Sequence, residues 1–374
     1  MRPVAIHQIG IISPLGTDRA MSSRKVITPV PEFNLFEGFP VARIESDDWV
    51  KNVDPYKGFH RLDRSVQLAI YAAHQIKGGL LDIPTAVAIG SSRGATGKWE
   101  EAFDFFSEKE TSRILDSPLT TAGNLASHVG HYLKGSTFLD LDQSITCASG
   151  LRAIVDACAW LETGFVEQAV AGGAEAPITA FTLSQMNALG LVPRVMDPFA
   201  CRSLDPDLSR NTMVLGEGAV LLHLSQKLDL PADAYIVGVG FGSEPLSSAT
   251  GLSPDGECLQ RSMRMATSMA GWDRPDAIVA HAPGTVKGDR SEVEAIRKIW
   301  GEIPVTSTKF LSGHCFGASG PLGVWMGVEM MNQKRWVTPP WVSGSSPKTL
   351  DKILINAVGF GANAVSLAIA NKPD

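Results

Sequence analysis

Apolar residues fall into two alternating periodicities along this chain. Short, nearly continuous apolar runs at Val4–Ile12, Thr85–Gly90 and Phe138–Leu141 predict strands. Apolar side chains spaced three and four apart predict helices near Asp63–Lys77 and Gly123–Leu133, and again from Leu151 to Leu161, where Gly164 ends the run. The alternation restarts at Ala234–Gly240. It continues through a helix near Cys258–Ala270, a strand at Ala277–Ala280, a helix near Ser291–Ile299, a strand at Val305–Thr308, a helix near Gly317–Met331 and two final strands. Strands alternating with helices predict an α/β fold, here in two similar halves, 1–230 and 231–374, with a junction at Lys227–Asp233 around Pro231. Segments 17–58 and 194–212 carry prolines and scattered charges and predict loops or a cap over the core.

Bulk properties narrow the function. A chain of 374 residues is long for one ordinary domain, and 44% hydrophobic content is ample for a buried core. A net charge of −6 without any basic stripe argues against a nucleic-acid surface. The five cysteines, at 147, 158, 201, 258 and 315, form no CxxC pair, which disfavours a disulfide framework and a zinc site and predicts a reduced, cytoplasmic setting. The N-terminal residues do not predict a signal peptide, no apolar run is long enough to span a membrane, and no glycine-rich loop has the setting of a dinucleotide fingerprint.

Candidate chemistry centres on Ser144-Ile145-Thr146-Cys147-Ala148-Ser149-Gly150, where a strand-like stretch gives way abruptly to the helix of Leu151–Leu161. The turn aims the Cys147 thiol, the helix dipole favours thiolate at its first turn, and Ala148, Ser149 and Gly150 leave room for substrate. An isolated cysteine is more often a small buried apolar residue. Other strings tip the balance: Thr306-Ser307-Thr308-Lys309 followed by Gly313-His314-Cys315-Phe316-Gly317, Leu215-Gly216-Glu217-Gly218, and Gly359-Phe360-Gly361-Ala362-Asn363. Ile9-Gly10-Ile11-Ile12-Ser13-Pro14-Leu15-Gly16, Asp63-Arg64-Ser65 and Gly172-Gly173-Ala174-Glu175 precede them in order.

Together these strings resemble the β-ketoacyl-ACP synthases, condensing enzymes of the thiolase superfamily, across nearly the whole chain. The resemblance implies a duplicated thiolase-like five-layer α/β/α/β/α fold and one active site drawn from both halves. It implies Cys147 as the nucleophile that carries the acyl chain, and the Cys147 and Phe360 N–H groups as the oxyanion hole, with the Phe360 ring as a gate. His314 would donate to the extender thioester, and Lys309 would organise the site while paired with Glu292. Glu217, between two glycines, reads as a structural acid. Thr285, Met186 and Met213 are candidates for substrate binding, and Leu189 and Phe181 for the tunnel or a subunit contact. The implied partners are an acyl carrier protein, whose phosphopantetheine arm brings the substrate, and a second ketosynthase-family subunit; no cofactor or metal is required.

One departure bears on activity. Family members carry a second histidine immediately before a Gly-Thr pair at a strand end, and in Ala280-His281-Ala282-Pro283-Gly284-Thr285 that place falls on Pro283. Proline has no imidazole and cannot polarise a thioester. His281 is the possible substitute, but on an extended strand it would sit about 6–7 Å back along the chain. Two residues also count as missing between Gly284 and Asp289, where Val286 and Lys287 replace a threonine and a proline, and the Gly359–Asn363 loop is one residue short. These features resemble chain-length factors, which pair with active ketosynthases, although such factors usually lack the cysteine. The leading expectation is therefore a chain-length-factor-like partner in fatty-acid, polyene or polyketide synthesis. The alternatives are a self-sufficient synthase performing decarboxylative Claisen condensation through Cys147, and an acyltransferase or thioesterase-like enzyme using the same residue.

Overall fold

The computed structural model describes residues 1–53, 55–133, 138–245, 251–344 and 346–373. Its strands are β1 (Val4–Ile12), β2 (Asn34–Phe36), β3 (Phe39–Ala42), β4 (Thr85–Gly90), β5 (Phe138–Gln143), β6 (Gln168–Glu175), β7 (Leu215–Gly216), β8 (Gly218–Ser225), β9 (Ala234–Ser243), β10 (Ala277–Val279), β11 (Val305–Thr306), β12 (Lys352–Gly359) and β13 (Asn363–Ala370). Ten of them form one hydrogen-bonded series, β11-β10-β12-β13-β9-β1-β8-β6-β4-β5, and β2, β3 and β7 form a small separate sheet. The series is two copies of one arrangement: outward from the β1–β9 junction, each half places its first strand, its last, its second-last, its second and its third. Within the sheet, the copies join where Val4–Ile6 pair with Ala234–Ile236.

Alternation along single strands sets the layers, because successive side chains point to opposite faces. In β4, Ala86 and Ala88 enter the central core, while Val87 and Ile89 pack on the helices Arg64–Ile76 and Asn124–Leu133. In β12, Ile353 and Ile355 enter the same central core, while Leu354 and Val358 pack on the helices Glu257–Met269 and Val286–Trp300. The central core holds the helices Ser149–Glu162 and Ser319–Gln333, so the order is α/β/α/β/α with those two helices in the middle layer. Their first turns lie side by side: a Cβ on Gly150 would meet the Gly317 carbonyl oxygen at 2.3 Å, an approach only glycine allows. Cys147 lies two residues before the first of these helices, and His314 leads into the second through the short turn Phe316–Ala318.

Periodicity placed most elements within a few residues. The helix beginning at Arg64 starts where Asp63 accepts a hydrogen bond from the Ser65 N–H, a normal N-cap. Segment 194–212 contains no helix or strand. Segment 17–58 does: the helix Arg19–Ile27, capped by Asp18, and strands β2 and β3 lie within it, while Asp54 is outside the described residues. The helix Arg19–Ile27 escapes sequence reading because Arg-Ala-Met-Ser-Ser-Arg-Lys-Val-Ile has no apolar stripe. It is held instead by Arg19, which pairs with Asp233 and with Glu329 at 2.6 Å.

Candidate active site

Cys147 sits on a sharp turn. Thr146 adopts φ +58°, a left-handed conformation rare for a β-branched residue, and Ser149 Oγ donates to the Thr146 carbonyl while accepting from the Ile145 N–H at 3.0 Å. The β12–β13 loop closes over this turn. A Cβ on Gly359 would lie 1.8 Å from Thr146 Oγ1 and 2.8 Å from the Cys147 nitrogen, and Thr146 Oγ1 donates to the Phe360 carbonyl at 3.2 Å. Phe360 thus adjoins the Cys147 turn through its backbone, and the residue is 39% exposed.

Two imidazoles face the sulfur. His314 Nε2 lies 3.2 Å from Cys147 Sγ, and His314 Nδ1 is fixed by Ser319 Oγ at 2.9 Å. The His281 ring stands edge-on to His314, with centroids 5.1 Å apart and planes at 82°. One nitrogen of each histidine and Cys147 Sγ all lie within 4.8 Å of one another, and all three residues are buried. The expected remoteness of His281 is therefore wrong. The strand does not continue through it: β10 ends at Val279, and Ala282 takes φ +25°, which turns the chain into the site. Glu292 holds that turn, accepting from the His281 N–H at 3.0 Å, the Ala282 N–H at 2.8 Å and Asn356 Nδ2 at 3.0 Å. Pro283 instead lies against the first turn of the helix Val286–Trp300, its Cγ 3.7 Å from where a Cβ on Gly288 would stand.

Lys309 is buried nearby at 2% exposure, and among the described residues its ammonium makes no ion pair. The expected Lys309–Glu292 pair is thus not a contact. Glu292 gives its oxygens to amide groups and acts on Lys309 only as the strongest of the charges opposing the burial that lowers the lysine's pKa. Burial, reinforced by the Lys309 cation, also pushes His281 and His314 well below the usual histidine range, so both rings are neutral at pH 7. Burial pushes the Cys147 thiol up to about 12, outweighing the opposing pull of Lys309 and Arg93. The thiolate expected from the helix dipole is therefore disfavoured at rest, because burial, to which the Glu175 charge adds, holds the group in its neutral form. The Cys147, His281 and His314 atoms also have the spacing of a small metal site, but Lys309 sets a positive charge against a cation there.

Met186 and Met213 pack with Cys147, Leu183 and Phe316 in one apolar cluster, as their candidacy for the pocket requires. Phe181 and Leu189 do not join it; they are 58% and 47% exposed. Thr285 precedes the helix Val286–Trp300, and its N–H donates to Asp289 Oδ1 at 3.0 Å. Gly284 beside it accepts from the Thr212 N–H at 2.8 Å. Glu217 is structural: it accepts from Arg64 Nε at 2.6 Å and the Ile44 N–H at 3.0 Å. Sequence reasoning missed Glu175, which is fully buried and accepts from Ser91 Oγ and the N–H groups of Ser92, Arg93 and Gly317. It also missed Ser319 and Asn356, although both stand within or beside strings singled out for other residues.

Sequence models of the β-ketoacyl synthase N-terminal and C-terminal domains match residues 59–229 and 233–342. The chain belongs to the β-ketoacyl synthase family. A putative polyketide β-ketoacyl synthase 1 of Streptomyces cyaneus is 27% identical, with 96% of each chain covered. A 3-oxoacyl-[acyl-carrier-protein] synthase 2 of Staphylococcus aureus (strain COL) is 28% identical over 85% of this chain and 82% of its own. Among solved structures, the ishigamide ketosynthase/chain length factor superposes with a TM-score of 0.88 at 19% identity, covering 99% of both chains. A β-ketoacyl synthase from Burkholderia phymatum superposes at 0.84 with 23% identity over the full length of both. This family member therefore has the thiolase-like fold that its sequence implied.

Proposed function

We propose that this chain is a condensing subunit in its own right, which lengthens a carrier-bound acyl group by decarboxylative Claisen condensation on Cys147. The observation that carries this reading is His281 beside Cys147 and His314. The case for a chain-length-factor-like partner draws on Pro283, a loop short by two residues and a Gly359–Asn363 loop short by one, and His281 answers the first two. His281 stands two residues before Pro283, so the spacing to Asp289 counted from His281 needs no gap, and Ala282-Pro283 replace the Gly-Thr pair.

The geometry suits each step. As Cys147 sulfur attacks the acyl thioester, its proton passes to His314 Nε2 at 3.2 Å and then to the departing carrier thiol. Ser319 serves either His314 tautomer, because a hydroxyl both donates and accepts. When a malonyl thioester binds, N–H groups of the two neutral imidazoles donate to its carbonyl oxygen. The bond to the carboxylate breaks, CO2 leaves, and the electron pair moves onto that oxygen as an enolate. The enolate carbon attacks the acyl-Cys147 carbonyl, the Cys147 and Phe360 N–H groups hold the resulting oxyanion, and collapse expels the Cys147 thiolate, which is reprotonated.

An acyl carrier protein would deliver both substrates, and β5, at one end of the sheet with Leu141 exposed, suits pairing with a second ketosynthase-fold subunit. The test is mass spectrometry of the purified chain with acyl- and malonyl-carrier substrates. An extended β-ketoacyl product that disappears with Cys147→Ala supports the proposal. Absence of product from the intact chain overturns it in favour of the partner reading, and release of free acid without a new carbon–carbon bond favours the acyltransferase or thioesterase-like one.

A further inference from the structure

The apolar cluster around Cys147 ends on a positive charge. Phe316 belongs to that cluster, its ring centroid is 5.2 Å from that of His314, and the Arg93 guanidinium lies over the Phe316 ring at 5.7 Å. Those two steps put the guanidinium no more than about 11 Å from the His314 ring, within reach of a short acyl chain and close enough for a cation–π contact. The Arg93 main chain is fixed, its N–H donating to Glu175 Oε1 at 3.1 Å and its carbonyl accepting from Thr96 Oγ1 at 3.3 Å. Its guanidinium makes no hydrogen bond or ion pair among the described residues, whereas Arg19, Arg64 and Arg202 each hold a carboxylate. The charge is felt at the nucleophile, where it opposes the burial that raises the thiol.

We propose that Arg93 is a specificity-determining residue of the acyl pocket, selecting acyl groups whose far end carries oxygen, as a carboxylate or ketone, over plain alkyl chains. A guanidinium presents five N–H donors in a planar fork suited to such oxygens. An alkyl end would strip water from those donors and return nothing, and sites with unpaired polar groups reject such ligands strongly. The inference rests on the reading of Cys147 as the residue that carries the acyl group.

The test measures Cys147 acylation by intact-protein mass spectrometry with hexanoyl-, 5-oxohexanoyl- and adipoyl-pantetheine, on the intact chain and on Arg93→Met and Arg93→Lys. The intact chain should acylate from the oxygenated donors at least about tenfold faster than from hexanoyl-pantetheine. A preference for adipoyl alone identifies a carboxylate, and a preference for both identifies any oxygen acceptor. Arg93→Met should reverse the order, and Arg93→Lys should retain part of it. Equal rates from all donors in the intact chain, or a ratio unchanged in Arg93→Met, overturn this inference alone. Acylation by none of the donors overturns both this inference and the reading of Cys147.

Discussion

Replacing His281 with alanine separates its chemistry from its place in the fold. The loop that carries it is gripped by Glu292 through the main-chain N–H groups of His281 and Ala282, so the anchor survives loss of the ring. The ring itself leaves no partner stranded, since His281 Nδ1 is buried without a hydrogen bond among the described residues. Folding should therefore be little affected, while the enolate loses one of two preorganised donors. Losing such a donor costs about 2.7–4 kcal/mol, a factor of about 10²–10³ in kcat. The loss should fall on one half-reaction. Acylation of Cys147 needs only His314, at 3.2 Å, and should proceed within a few-fold of normal, whereas release of CO2 from malonyl-carrier should fall by the full factor. Radiolabelled CO2 release and mass-spectrometric acylation, run on the same preparation with circular dichroism as a folding control, measure the two separately. Unchanged decarboxylation in His281→Ala would refute the reasoning, and an equal fall in both half-reactions would show that the ring supports the site rather than the enolate.

Pro283→His should give no gain in condensation, because that position faces the first turn of the helix Val286–Trp300; a rise in turnover would restore position 283 as the histidine's place. Glu292→Ala strands three buried donors, each costing about 1–3 kcal/mol, so it should lower stability in urea unfolding by about 3 kcal/mol or more and abolish condensation with it. With its thiol pushed up to about 12, Cys147 in the empty site should react with iodoacetamide at a rate that climbs through pH 7–9 without levelling, and a plateau near pH 7 would mean a resting thiolate. Protonation of the two depressed histidines opposes folding only below the ordinary histidine pKa of about 6.5, where the unfolded chain binds protons that the buried rings refuse; stability should thus be insensitive to them above pH 7 and fall as pH drops below 6.5, as urea midpoints would report.

The difference between what was and was not legible in the sequence follows from how each residue is positioned. Cys147 and His314 lie within five residues of the starts of long helices whose apolar spacing is visible in the chain, so local pattern locates them. Lys309 could be named from its string, but its pairing could not, because the oxygens of Glu292 are already committed to amide groups. His281 depends on something periodicity does not encode. After three residues of strand the chain turns at Ala282, and the carboxylate that stabilises that turn lies ten residues on, in the following helix. Extending the strand by rule moves the imidazole away from the sulfur and leaves a proline in its stead; one non-glycine residue at positive φ reverses that result. The same dependence makes the site economical. Glu292, Asn356 and Ser366 form one buried hydrogen-bonded chain from the 281–282 turn to β13, so the histidine loop is tied to the strand pair whose connecting loop carries Phe360. Under the proposed mechanism, side chains that touch neither substrate thereby set the enolate donor and the oxyanion donor against each other.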